Sequence, residues 1–183
     1  NANLFMVALN IENNGEPDRL ISASSPSAQN VSIENPGADG SAIIIPKNGG
    51  GILAMDGAHI MLIAKPDTFE QGAFLPLNLT FENAGSVSVR VQNVGVAEMN
   101  HGLANGISET PTPELELKWM IAPSANGAQV KLNTDDFTFT NVEAGTAHAP
   151  NHGHAHVYLN GLKLGRLYSD TYQIGALSAG NYT

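Results

Sequence analysis

Cysteine is absent from this chain, which removes disulfide frameworks, thiolate metal sites and cysteine nucleophiles and leaves the redox compartment open. Charge is scarce as well: Asp, Glu, Lys and Arg make up 14% of the residues, against about a quarter in an average soluble domain. Basic residues are the scarcest, with 8 Lys and Arg against 17 Asp and Glu and a formal net charge of -9. Such a surface repels phosphate backbones and anionic lipid, so nucleic acid and membrane are poor partners and a cation is a better one. No apolar run approaches the ~18 residues of a membrane helix. The opening "NANLFMVALNIENNG" has no basic segment ahead of an apolar core, and reads as a mature chain after signal removal. Helical periodicity is missing over any dozen residues. Neither GxSxG nor HExxH occurs, and the chain is read as a binding protein and not an enzyme.

What the sequence does hold is turn chemistry and short apolar runs. "LFMVALNI", "RLISAS", "NVSIE", "SAIIIP", "GGILAM", "HIMLIAK", "FLPLNLTF" and "VSVRVQNV" alternate with "NNGEPD", "SSPSA", "NPGADG", "KNGGG", "MDG" and "ENAG". Strands at this spacing predict an all-β sandwich or barrel. The pattern fails in the polar, Gly- and Pro-containing stretch 96–113, then resumes with "ELELKWMIA", "AQVKLN", "FTFTNV", "HAHVYLN", "LKLGRLY" and "YQIGAL". The expected organisation is a β-sandwich over 1–95, a linker over 96–113, and a second small β-sandwich domain over 114–183. The final "LSAGNYT" reads as a turn entering a strand, so a trimmed chain or a strand supplied by another molecule is expected, with self-association through an exposed sheet edge as the consequence.

Two groups of residues carry metal chemistry. In "MDGAHIMLIAK", His59 and Met61 sit two apart on a strand and share a face. Imidazole with thioether is a soft pair that suits Cu(I). In "HAPNHGHAHVYLNG", four of the chain's six histidines fall within nine residues: His148, His152, His154 and His156. On a strand, His154 and His156 point the same way roughly 7 Å apart at Cα, and His148 and His152 in the preceding loop are candidates to fold over them. Neutral imidazoles suit Cu(II), with zinc also possible. The competing reading is a solvated histidine face, or rings hydrogen-bonded within the sheet beside Tyr158.

The ordered blocks "DRLISASSP", "IP", "GAHIML" and "LTFENAG" resemble those of the PCuAC periplasmic copper chaperones, over nearly all of residues 1–94. The resemblance implies a cupredoxin-like β-sandwich whose copper site uses an early His, a following Met, and the His and Met of an HxM motif. His59 and Met61 match the last pair. The early His falls near Glu34, and the stretch expected to bring the other Met is shortened to "GADGSA", so two of four ligands have no counterpart. "GHAHVYLNGLKLGRLY" resembles a small β domain of secreted bacterial proteins with the pattern GHAHxYxNGxKxxRxY. The expected function is a periplasmic or extracellular copper-binding protein, a chaperone or store that hands metal to an acceptor protein. The alternative is a structural protein that assembles by strand complementation, with metal as a bridge.

Overall fold

The computed structural model describes residues 3–95, 118–124, 126–141 and 149–183, and every regular element among them is a strand. The linker expected at 96–113 lies outside the described residues, as does His148. The all-β expectation is met.

The first half is built from three antiparallel sheets. Strands β1 (Leu4–Val7), β7 (His59–Ala64) and β4 (Ala28–Glu34) form one in that spatial order. Strands β5 (Ile43–Ile45), β3 (Asp18–Ser24), β8 (Phe74–Phe81) and β9 (Gly85–Gln92) form a second. Strands β2 (Leu9–Asn13) and β6 (Gly49–Leu53) belong to a third. Period-two alternation decides which side chains turn inward. On β7, Ile60, Leu62 and Ala64 are buried while His59, Met61 and Ile63 are half-buried on the other face. On β8, Leu75, Leu77 and Leu79 are buried. With Leu20, Ile43, Ile45 and Leu53 these residues form one apolar cluster, each large side chain contributing ~1.5–3 kcal/mol on burial. Pro76 is tolerated inside β8 because β3 reaches only Asn78–Phe81, so Pro76 is paired on one side only, with Arg90 of β9.

Asp18, at the start of β3, is the buried carboxylate of this core. Its Oδ1 accepts from the backbone N–H of Arg19 and Asn83, and its Oδ2 from that of Ala84, which pins the β8–β9 turn to the β3 strand. Burial works against the ionised form, but the backbone donors of Asn83, Arg19, Ala84 and Glu82 outweigh it and hold the carboxyl below its ordinary range.

In the second half, β10 (Lys118–Ser124), β11 (Gly127–Asn133) and β16 (Thr171–Gly175) form a three-stranded antiparallel sheet, and β12 (Thr138–Phe139) pairs in parallel with β13 (His152–Gly153). The remaining hairpin, β14 (Ala155–Leu159) and β15 (Leu162–Leu167), joins the third sheet of the first half, in the order β14-β15-β6-β2. Lys163 of β15 lies opposite Ile52 of β6. Leu162 is fully buried in the same cluster as Leu20 and Ile60. The hairpin turn is Asn160-Gly161, both at positive φ (45° and 84°), the conformation that an Asn-Gly pair adopts most readily. The Gly161 carbonyl accepts from the Ala58 N–H on the β6–β7 turn, so the two turns are stitched together.

Candidate metal-binding site

The β14–β15 hairpin presents one polar face. His156 lies opposite Arg166, and Tyr158 opposite Lys163. Regular pairing would set Leu164 against Tyr158, but the register slips by one residue between Val157 and Tyr158. This bulge turns Lys163 onto the histidine face and leaves Leu164 packed against the apolar cluster.

His154 sits immediately before β14, and alternation puts its ring on the same side as His156. The ring centroids are 5.1 Å apart, and Nε2 of His154 stands 3.2 Å from Nε2 of His156. Two nitrogens each ~2.05 Å from one ion, at angles of about 90–109°, stand roughly 2.9–3.4 Å from each other. At this spacing the two rings share a hydrogen bond, one Nε2 donating and the other accepting. The distance also falls within the bite of two imidazoles on one ion once the donor ring moves its proton to Nδ1, and the donor set fits copper or zinc. Tyr168 backs His154 at 5.5 Å between centroids.

The other side of the His156 ring meets a carboxylate from the first half. Asp56, on the β6–β7 turn, accepts through Oδ2 from Lys163 Nζ at 2.6 Å and from the Tyr158 hydroxyl at 2.9 Å. The same oxygen is 3.5 Å from His156 Nδ1. Gly57 permits this approach, since a Cβ there would stand 2.7 Å from the Gly161 carbonyl and 3.2 Å from the Tyr158 ring. A carboxylate near Nδ1 favours the proton there and leaves Nε2 as the lone pair, the arrangement of a carboxylate behind a metal-ligating histidine.

Charge tuning agrees. Partial burial, then Lys163 and His154, push the His156 pKa down, with Asp56 opposing. Partial burial, then Arg166 and Lys163, push His154 down. Both rings are thus held neutral, the state that ligates metal. The Lys163 hydrogen bond chiefly, and the Tyr158 hydroxyl, hold Asp56 ionised below its ordinary range. Burial and the Asp56 hydrogen bond push the Tyr158 hydroxyl up to about 12.

The remaining candidates lie apart from this pair. His152, on β13, directs Nδ1 to the Pro150 carbonyl at 2.8 Å. Among the described residues, no three His, Cys, Asp or Glu side chains are grouped to hold one ion. His59 and Met61 are on β7, on the outer face of a different sheet, with His59 Nδ1 2.9 Å from the Gly57 carbonyl. Glu34, near which the early histidine was expected, lies directly across from His59 in the β4–β7 register. Its Oε1 accepts from the Ser32 hydroxyl at 2.7 Å.

Sequence reasoning missed Asp56 and Lys163. Asp56 sits in a "DG" pair, which reads as turn chemistry, and its partners are 102 and 107 residues away. Lys163 reaches the face only through the bulge, for which the sequence carries no clear signal.

Comparison with solved structures finds similarity to the apo PCuAC domain from PmoF1, at 25% identity over 49% of this chain and 78% of that one, TM-score 0.44. A copper-bound PCuAC domain from PmoF2 is similar at 24% identity over 49% and 77%, TM-score 0.43. No curated protein matches. The family model that matches, LpqE-like, is a lipoprotein family by its description and covers residues 2–93. That span is half of the sequence, from β1 through β9, and the chain belongs to the LpqE-like family.

Proposed function

We propose that this chain is an extracytoplasmic copper-binding protein, periplasmic or extracellular, that carries or stores the ion as cargo and passes it to an acceptor. The observation that carries this reading is the 3.2 Å separation of the His154 and His156 Nε2 atoms, a distance that also fits two imidazoles on one ion, which would take the place of the shared proton. Asp56 lies 3.5 Å from Nδ1 of His156, and the lowered imidazole pKa values favour the neutral rings that ligate metal. His148 and His152 are the proposed additional ligands, His152 on giving up its Pro150 partner. Two partly exposed imidazoles hold an ion weakly enough for an incoming protein to displace them one at a time, which suits transfer better than catalysis. His59 and Met61 form a second, softer pair for Cu(I) on β7. The PCuAC-like sequence blocks support copper over zinc.

Titration of the purified chain with Cu(II), followed by the nitrogen hyperfine pattern in electron paramagnetic resonance, tests the reading. The parent is expected to bind one ion through nitrogen, and the His154→Ala/His156→Ala chain to lose it. No binding by the parent, or undiminished binding by the double variant, removes the proposal.

Self-association is the second reading. Strand β10 is at the edge of its three-stranded sheet, with Met120 and Ile121 exposed, and exposed strand edges pair with other chains. Particles larger than one chain in the absence of metal favour it; a metal-independent monomer counts against it.

A further inference from the structure

Arg166 is out of place beside a site for a bare cation. It lies directly opposite His156 in the β14–β15 register, and cross-strand partners share a face with Cβ atoms ~4.5–5.5 Å apart. Tyr168 packs against His154 on one side, and Lys163 lies opposite Tyr158 on the other. Arg166 is therefore the middle residue of the row that faces His154, His156 and Tyr158, and it is exposed. Among the described residues, its guanidinium has no ion-pair or hydrogen-bond partner. Lys163, the other cation of this face, is buried and engaged by Asp56 at 2.6 Å. After burial, Arg166 is the strongest influence pushing the His154 pKa down, so its charge is felt at the ring.

The charges of the face do not suit a naked divalent ion. Lys163 and Asp56 offset each other, neutral imidazoles carry no charge, and Arg166 is left over on a chain whose formal net charge is -9. An ion held by His154 and His156 would place two more positive charges near that arginine, and like charges repel. Asp56 offers little relief, because it stands on the Nδ1 side of His156 and already accepts from Lys163 and Tyr158. An anion that arrives with the ion removes the conflict. Cu(II) prefers a tetragonal set of donors, so two imidazoles leave two positions in the same plane. A small carboxylate that chelates through two oxygens fills both. Its remaining oxygens suit the planar fork of a guanidinium, which pairs with carboxylate through two parallel hydrogen bonds.

We propose that the cargo of the His154 and His156 pair is Cu(II) already chelated by a small carboxylate, and that Arg166 holds the outward oxygens of that complex. The inference rests on the copper reading above and specifies the form in which the ion is taken up. Arg166 is then a specificity residue: it disfavours the bare ion and favours the ion whose charge a carboxylate has offset.

The test uses the full chain with Cu(II) and carbon-14 oxalate in equilibrium dialysis, copper and oxalate being measured separately. The parent is expected to retain one oxalate per chain when one equivalent of Cu(II) is present, and none without it. Arg166→Gln is expected to retain oxalate at least about tenfold more weakly, the loss that accompanies one hydrogen bond to a charged group. The same variant is expected to bind Cu(II) alone more tightly, because a repelling charge is gone. A misfolded hairpin would weaken both, so the opposite signs separate specificity from structure. Arg166→Lys, which keeps the charge without the fork, is expected to fall between parent and Arg166→Gln on both measures. Copper retained with no oxalate, oxalate retained equally without copper, or an Arg166→Gln chain that holds oxalate as tightly as its parent overturns the inference and leaves the copper reading standing. No copper retained, with oxalate or without it, removes the copper reading and this inference together.

Discussion

The β14–β15 hairpin makes a close apolar contact with the first half where Gly51 of β6 meets Leu162 of β15. A Cβ built on Gly51 would stand 2.4, 2.5 and 2.6 Å from Cδ2, Cγ and Cδ1 of Leu162. Gly51→Ala therefore forces the leucine or the β6–β15 pairing to shift, an overpacking cost of ~1–3 kcal/mol. Leu162→Ala removes a fully buried side chain from the core, at ~2–5 kcal/mol. The double substitution deletes the three carbons that the new methyl strikes and refills part of the space they leave. It is expected to be less destabilising than the sum of the single changes by ~1–3 kcal/mol, the coupling typical of residues in contact. Urea unfolding by far-ultraviolet circular dichroism, run on all four proteins, measures the cycle. Additive costs would show that Leu162 does not sit against Gly51 in solution. Two separate transitions, with the earlier alone sensitive to Leu162→Ala, would refute the claim that the histidine-bearing hairpin shares the core of the first half.

The other predictions concern single groups. Asp18→Ala leaves the N–H groups of Asn83 and Ala84 without their acceptor and is expected to cost ~1–3 kcal/mol in urea unfolding. Because the folded-state pKa of Asp18 lies below its ordinary value of 3.8, its contribution is fully present above that value and is lost as pH falls through the folded pKa; Asp18→Asn is expected to flatten stability across this acid window, and an unchanged slope would count against the account. Tyr158 should ionise only near pH 12, so the phenolate absorbance missing from Tyr158→Phe should appear there, and Asp56→Asn should move it down toward 10 by removing the carboxylate. Gly161→Ala places a Cβ 2.0 Å from Asn35 Oδ1 at a φ of +84°. It is expected to destabilise by more than the ~1 kcal/mol of an ordinary glycine substitution, and a neutral result in thermal unfolding would contradict the turn geometry.

Much of the local structure could be read directly. The alternation in "HIMLIA" separates Ile60 and Leu62 from His59 and Met61, and the strand takes that orientation. "NG" marks the β14–β15 turn, and Asn160 and Gly161 adopt the positive φ values it calls for. The spacing of His154 and His156 puts both on one side, and their Nε2 atoms meet. What could not be read are contacts between residues far apart in the chain. Asp56 looks like a turn residue until the β6–β7 turn settles on the hairpin. His152, close to the pair in sequence, has its Nδ1 2.8 Å from the Pro150 carbonyl.

By itself the sequence determined the all-β class, the absence of thiolate chemistry, the inward and outward faces of regular strands such as β7 and β8, and the residue types able to hold a soft or borderline metal. These follow from a two-residue period and from side-chain chemistry, both local properties. Only the tertiary structure decided that the β14–β15 hairpin completes a sheet begun by β2 and β6, that a one-residue bulge brings Lys163 beside Tyr158, and that Asp56 stands behind His156. Strand order, register and bulges depend on which apolar surfaces bury each other across the whole chain. No window of neighbouring residues contains that information.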